Sequence, residues 1–259
     1  MEVSNVYTWR DQSKKRRNSP LLPQNIRGLI IGKSNCGKTT LLLNLLLQPD
    51  WLDYNQLYIF GKSLHQREYK ILQKGLEHGL SKEQLSNIFK HQDELKMEPV
   101  KLIESYINDG GIAKGSIKAY FYNDCSSQIP DPTELNDQVN NLLMLDDCLL
   151  EKQNKAEAYY TRGRHNNCDT FYISQNYFRL PRQTIRENAN LIILFPQDAK
   201  NINHIHADHC TDIDIKEFKD FCHGVWDRQQ YNFVTIDLTA SKFKGKYREN
   251  FDRFYFPDT

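Results

Sequence analysis

The residues of this chain best suited to chemistry form a glycine-bracketed loop, Gly32-Lys33-Ser34-Asn35-Cys36-Gly37-Lys38-Thr39. Its spacing fits G-x-x-x-x-G-K-[ST] at every fixed position. Glycines let successive backbone N–H groups turn inward around an anion, and a helix starting at the end of the loop adds its partial positive charge. Lys38 can then reach the terminal phosphates of a nucleotide, and Thr39 offers a hydroxyl to Mg2+. Thr40 belongs with the eight loop residues as a nucleotide-binding position.

Two carboxylates extend this chemistry. Asp146 and Asp147 follow the apolar run Leu142-Leu143-Met144-Leu145, which suits a strand buried on both faces of a parallel sheet. Carboxylates leaving such a strand emerge where ligands bind in open α/β sheets. Asp146 is expected to complete the magnesium shell begun by Thr39, and Asp147 to orient or deprotonate the attacking water. A further strand, Thr170-Phe171-Tyr172-Ile173-Ser174, ends at Gln175, whose amide can bond the terminal phosphate or the lytic water.

Between these strands, Tyr160-Thr161-Arg162-Gly163-Arg164-His165 brings two arginines near the expected catalytic edge. Either can serve as an arginine finger given to a neighbouring subunit, with Arg162 preferred. Their alternative role is to complement the dipole of the helix that carries Lys155, Ala156 and Tyr159 and ends at Gly163. His204, His206, His209, Cys210, Cys222 and His223 do not match a common zinc spacing.

The elements that must position these groups follow from pattern. Arg27-Gly28-Leu29-Ile30-Ile31 reads as a buried strand, and the leucine-rich stretch after Thr39 as a helix stopped by Pro49. Leu57-Tyr58-Ile59-Phe60 is a second strand. Helical spacing runs over residues 64–91 with a break at Gly79-Leu80-Ser81, and Ser81 followed by Glu83 and Gln84 marks a new helix start. A turn at Asp109-Gly110-Gly111, a strand over residues 117–122 and a short helix from Thr133 come next. Later elements are a strand at residues 191–195, a helix at 214–223 and a strand at 232–238.

Composition narrows the classes. A chain of 259 residues with 34 Lys+Arg against 33 Asp+Glu has no overall field for nucleic acid, so any DNA contact must be a local patch. Lys242, Lys244, Lys246 and Arg248 form one such cluster, and Lys14-Lys15-Arg16-Arg17 another, which reads as an import signal, a phosphate-binding arm or a solvated tail. Residues 1–24 are expected to form a flexible basic arm outside the core, and 25–259 a single P-loop domain. The closing Phe251, Phe254, Tyr255 and Phe256 are expected to pack on it. The six cysteines are spread without C-x-x-C pairs and read as reduced intracellular thiols. No signal-peptide core or apolar run approaching the roughly 20 residues of a bilayer span occurs, so a soluble, intracellular protein is expected.

Taken together, the loop, the Leu-Leu-Met-Leu-Asp-Asp strand, Thr161-Arg162-Gly163-Arg164-His165-Asn166-Asn167 and the stretch from Tyr172-Ile173-Ser174-Gln175 through Leu180-Pro181 and Ile185-Arg186-Glu187-Asn188 resemble the poxvirus-type genome-packaging ATPases. These are the viral branch of the FtsK/HerA superfamily, found in large DNA viruses, virophages and Polinton-type elements. The resemblance covers roughly residues 26–256. It implies an α/β fold with a RecA-like, mostly parallel sheet flanked by helices, and assembly of identical subunits into a ring, a hexamer or pentamer. It further implies ATP-driven pumping of double-stranded DNA into a capsid, with capsid proteins as partners. The site of action would be the nucleus, a cytoplasmic virus factory or the virion. Two departures stand out: Lys33-Ser34-Asn35-Cys36 lacks the small Gly-Ser pair common in that loop, and no nuclease-like segment follows, unlike a tailed-phage terminase. The rival readings are a P-loop kinase and a nucleotide-binding scaffold without turnover.

Overall fold

A computed structural model describes residues 17–95, 98–108 and 115–257. Its centre is a nine-stranded sheet in the order β3-β2-β4-β5-β1-β6-β7-β8-β9. The strands are β1 (Arg27–Ile31), β2 (Gln56–Gly61), β3 (Lys118–Tyr122), β4 (Asn141–Asp146), β5 (Cys168–Ser174), β6 (Leu191–Leu194), β7 (Val234–Asp237), β8 (Tyr247–Glu249) and β9 (Arg253–Tyr255). From β3 to β6 every pairing is parallel, and β7, β8 and β9 add an antiparallel extension. This is the α/β, mostly parallel architecture the sequence implies.

Strand residues alternate between two cores. Ile30, Met144, Phe171 and Ile193 face a layer made by α1 (Lys38–Leu47), α2 (Arg67–Glu77), α3 (Lys82–Leu95) and α4 (Pro99–Asn108). Leu29, Ile31, Leu143, Leu145, Tyr172 and Ile192 face α5 (Asn154–Arg162), α6 (Ala199–His209) and α7 (Ile215–Arg228). The period-two alternation with burial on both faces explains why β1, β4, β5 and β6 read as continuous apolar runs. The break between α2 and α3 falls at Gly79, where φ is 73°, and Ser81 then starts α3. Its backbone N–H donates to Gln84 Oε1 at 2.8 Å while its hydroxyl accepts from the Gln84 N–H at 3.2 Å, a reciprocal cap.

Several expectations are corrected here. Residues 17–24 are not an arm outside the core. Leu22 is 1% exposed, and Arg17 donates to Asp169 Oδ2 at 3.0 Å and to the Asn167 carbonyl at 2.9 Å. Asp169 also accepts from Asn18 Nδ2 at 2.6 Å and from the Ile26 N–H at 2.7 Å, so the segment is sewn to the start of β5. Burial pushes the Asp169 carboxyl up, and these donors oppose that shift. Removing one partner of a buried ion pair strands the other, so Asp169→Ala is expected to lower the unfolding free energy by about 3–5 kcal/mol in a denaturant titration. Lys14, Lys15 and Arg16 of the basic run, and the expected turn at Asp109-Gly110-Gly111, lie outside the described residues.

The late basic cluster is split. Lys246 is buried and bonded to Asp212 at 2.7 Å, and Arg248 is buried against Asp237 at 2.7 Å, so neither faces a surface patch. Phe251 is buried, but Phe254, on the short edge strand β9, and Phe256, just beyond it, are exposed. Cys125 and Cys148 are disulfide-bonded, with Cα atoms 5.6 Å apart, contrary to six reduced thiols. The chain beyond β3 folds back over the end of β4, bringing together residues 23 apart in sequence. Cys168, Cys210 and Cys222 are buried free thiols, and Cys36 is partly exposed.

Candidate active site

The parallel strands end in register, with Ile31 opposite both Ser174 and Leu194, and Asp146 opposite Gly61 and Ile173. The loop after β1, the carboxylates after β4 and Gln175 after β5 therefore leave the sheet from one edge. Strand β5 lies between β1 and β4, which sets Gln175 between the loop and the carboxylates, about 5 Å from each strand line. The order β4-β5-β1-β6 also places this edge where crossover directions diverge, the position at which open α/β sheets take ligands.

A pocket of about 390 Å³ opens there. It is lined by Ser34, Asn35, Gly37, Lys38, Thr39 and Thr40 from the loop and α1, and by Asp146, Asp147, Ser174 and Gln175 from the strand ends. Gly37 has φ 100° and caps α1, and among the described residues no side chain caps that N-terminus and no acid sits in its first turn. The helix therefore points unneutralised N–H groups into the pocket. Gly32 is required for space, since a Cβ there would stand 2.7 Å from Phe195 Cβ. Lys38 folds over the loop and donates to the carbonyls of Gly32 at 2.8 Å and Lys33 at 2.6 Å. Its ammonium also lies 3.9 Å from the Cys36 sulfur, whose thiol is pushed up by burial.

Asp146 is buried, and its Oδ2 accepts a 2.6 Å hydrogen bond from the Tyr69 hydroxyl of α2. Burial raises its carboxyl above the ordinary range; the Tyr69 bond and the Lys38 charge lower it, and Asp147 adds to the rise. Asp147 is exposed and sits at φ 56°, left-handed geometry that aspartate tolerates better than most residues, while its N–H donates to the Ile173 carbonyl at 3.3 Å. Gln175 Oε1 accepts from the Ser34 hydroxyl at 3.2 Å, tying the β5 end to the loop. Thr39 and Asp146 are hard oxygen donors of the kind Mg2+ takes alongside substrate phosphates, and they share this pocket. Among the described residues no three His, Cys, Asp or Glu side chains converge on a metal-sized site.

The arginines are not near this edge. α5 starts beyond Asp147 and runs back antiparallel to the strands, so Arg162 and Arg164 sit where β5 begins, at the opposite end of the sheet. Arg162 reaches Asp131 at 3.4 Å, and Arg164 makes a 3.5 Å contact with His165 and lines a second, larger groove with Arg17, Lys82 and Asn140. Gly163 has ordinary helical φ, and the left-handed residue that ends this turn is Asn167 at φ 52°.

Residues the sequence left unread complete the picture. Ser63, Gln66 and Glu68 at the start of α2, and Tyr231 before β7, also line the pocket, and only their place in the fold reveals them. The stretch after Gln175 is a brace. Arg186 pairs with Asp208 at 2.9 Å, and the Tyr177 hydroxyl bonds Asp208 and His209 at 2.8 Å each. Burial lowers the His209 pKa to about 4, which keeps this imidazole neutral. Asn190 accepts from the Arg27 N–H at 2.7 Å and so fixes the root of β1. His204 stacks on Phe178 with centroids 4.3 Å apart, and His206 bonds the Ile213 carbonyl at 2.8 Å.

No family model matches the chain, and no curated protein matches it. Solved structures are similar at low identity. The genome packaging NTPase B204 from Sulfolobus turreted icosahedral virus 2, in complex with AMP, aligns at 14% identity over 87% of this chain and 96% of its own, with a TM-score of 0.48. VirB4 of Thermoanaerobacter pseudethanolicus aligns at 10% identity over 90% of this chain and 89% of its own, with a TM-score of 0.43. The plasmid coupling protein TrwB, in complex with the non-hydrolysable GTP analogue GDPNP, aligns at 12% identity over 98% and 94%, with a TM-score of 0.45. At such identities the role of each residue rests on this chain's own geometry.

Proposed function

We propose that the chain is a Mg2+-dependent ATPase that moves double-stranded DNA, a genome-packaging motor of the viral FtsK/HerA type working as a ring. The observation that carries the nucleotide part is the convergence of Lys38, Thr39, Asp146, Asp147 and Gln175 on one pocket at the carboxyl edge of the sheet. In this reading the loop N–H groups and Lys38 hold the β- and γ-phosphates of ATP. Thr39 and Asp146 would hold Mg2+, which would supply positive charge beside the phosphates. Asp147 aligns water and draws its proton, and Gln175 registers the γ-phosphate and passes its loss to the loop through Ser34.

The ring rests on the sequence resemblance, and the arginines fit it in one respect. They lie at the opposite end of the sheet from their own pocket, so a finger role is open to them only toward another subunit. The packaging role, capsid partners and action in the nucleus, a virus factory or the virion rest on the sequence signature that the brace around Gln175 makes physically intelligible.

Phosphate release by the purified protein tests the reading. It is expected to require Lys38, to rise with double-stranded DNA, and to lose that stimulation as salt rises from about 50 to 200 mM, because DNA contacts release counterions. Phosphate appearing on an acceptor molecule instead of in solution would favour a kinase, and a Lys38→Ala protein as active as the parent would overturn the assignment.

A further inference from the structure

Strand β7 runs antiparallel to β6, with Val234 opposite Leu194, and Leu194 in turn lies opposite Ile31. The turn entering β7 is therefore delivered to the same edge as the phosphate loop. Tyr231 stands in that turn, and it is the one aromatic side chain among the described residues lining the pocket. Its ring lies against the loop: a Cβ on Gly37 would be 3.1 Å from Tyr231 Cδ1 and 3.5 Å from Tyr231 Cβ.

Two features separate this tyrosine from a packing residue. It is 58% exposed, so the ring contributes little to the core. It also sits at φ 71°, a conformation that bulky side chains seldom take. Its neighbour enforces that geometry, since the Asn232 N–H donates to the Gln229 carbonyl at 3.2 Å, and buried Asn232 Nδ2 donates to the Val225 carbonyl at 3.2 Å. Strained, exposed residues held by their surroundings collect at ligand sites.

We infer that Tyr231 stacks on the base of the nucleotide whose phosphates occupy residues 32–39, and so separates a nucleoside triphosphate from a bare polyphosphate. This rests on the nucleotide reading above. The loop and the acidic edge supply contacts suited to phosphate and metal, whereas a π-face is what a base requires, and Tyr231 supplies it beside the first turn of α1.

Calorimetric titration of the full chain with Mg-ATP and, separately, with inorganic tripolyphosphate tests this. Tyr231→Ala is expected to weaken ATP binding roughly 5- to 100-fold, the range for losing one base–aromatic stack, while tripolyphosphate affinity stays within about twofold. Tyr231→Phe and Tyr231→Trp keep a ring and should retain ATP affinity. An alanine variant with parental ATP affinity, or one that loses ATP and tripolyphosphate equally, would overturn the stacking role alone. A parent that binds neither probe would overturn the nucleotide reading and this inference with it.

Discussion

Asp147→Asn is expected to lower steady-state ATP hydrolysis by about 100-fold or more while ATP affinity changes little, since loss of a positioned general base costs about 10²- to 10⁴-fold. The residue sits one step past the end of β4, at φ 56° and exposed to the pocket, where no packing role competes with a chemical one. Asparagine is isosteric and also tolerates left-handed backbone, so the substitution removes the charge and leaves the turn intact. The buried neighbour Asp146, braced by Tyr69 at 2.6 Å, is the proposed metal ligand and is left untouched by this substitution. Phosphate release paired with ATP titration separates the two roles: a fall in turnover at unchanged affinity assigns Asp147 to the water, whereas parental turnover removes it from the mechanism.

The second large effect belongs to the far edge. Arg162→Ala combined with Arg164→Ala is expected to reduce hydrolysis by about 10³- to 10⁵-fold in the assembled protein, the range for removal of an arginine finger. Each subunit's own pocket should keep its ATP affinity, because neither arginine lines it. The single variants apportion the effect. Arg162 is engaged with Asp131 at 3.4 Å, while Arg164 holds a long 3.5 Å contact to His165, with its guanidinium exposed on the groove. Arg164 also helps hold the Arg27 guanidinium below its ordinary pKa, after burial. The groove beside it carries mixed charge, with Asp50, Asp53 and Asp137 set among Arg17, Lys82 and Arg164. Turnover of the double variant equal to the parent would end the finger assignment.

The phosphate-loop spacing and the strands that present the candidate residues are legible in the sequence, because those signals are local. The phosphate loop is a spacing rule, and β1, β4 and β5, buried on both faces, leave uninterrupted apolar runs that end at Ile31, Asp146 and Ser174. Other features are properties of the whole fold. α6 went unread because Asn201, Ile202 and Ile205 face inward while polar residues and histidines cover the rest of its surface. The short strands β8 and β9 are paired by contacts across the sheet, and the basic residues Lys246, Arg248 and Arg253 on and beside them pair with Asp212, Asp237 and Glu249. Arg17 and Asn18 find Asp169 some 150 residues away, and Cys125 finds Cys148 because the chain folds back over β4. The arginines' position is hidden for a similar reason: their distance along the chain from Asp147 is short, but α5 carries them back across the sheet, at about 1.5 Å per residue.

In the proposed cycle one subunit holds the triphosphate and the next completes its cleavage. Mixing two inactive proteins tests it directly. Asp147→Asn subunits have sound arginines and a dead pocket, and Arg162→Ala/Arg164→Ala subunits have a sound pocket and no finger. Co-assembled at equal concentration, they are expected to recover hydrolysis well above the sum of the separate proteins, since some interfaces then pair a sound pocket with a sound arginine. Mixed assemblies that form but release phosphate no faster than that sum would contradict it.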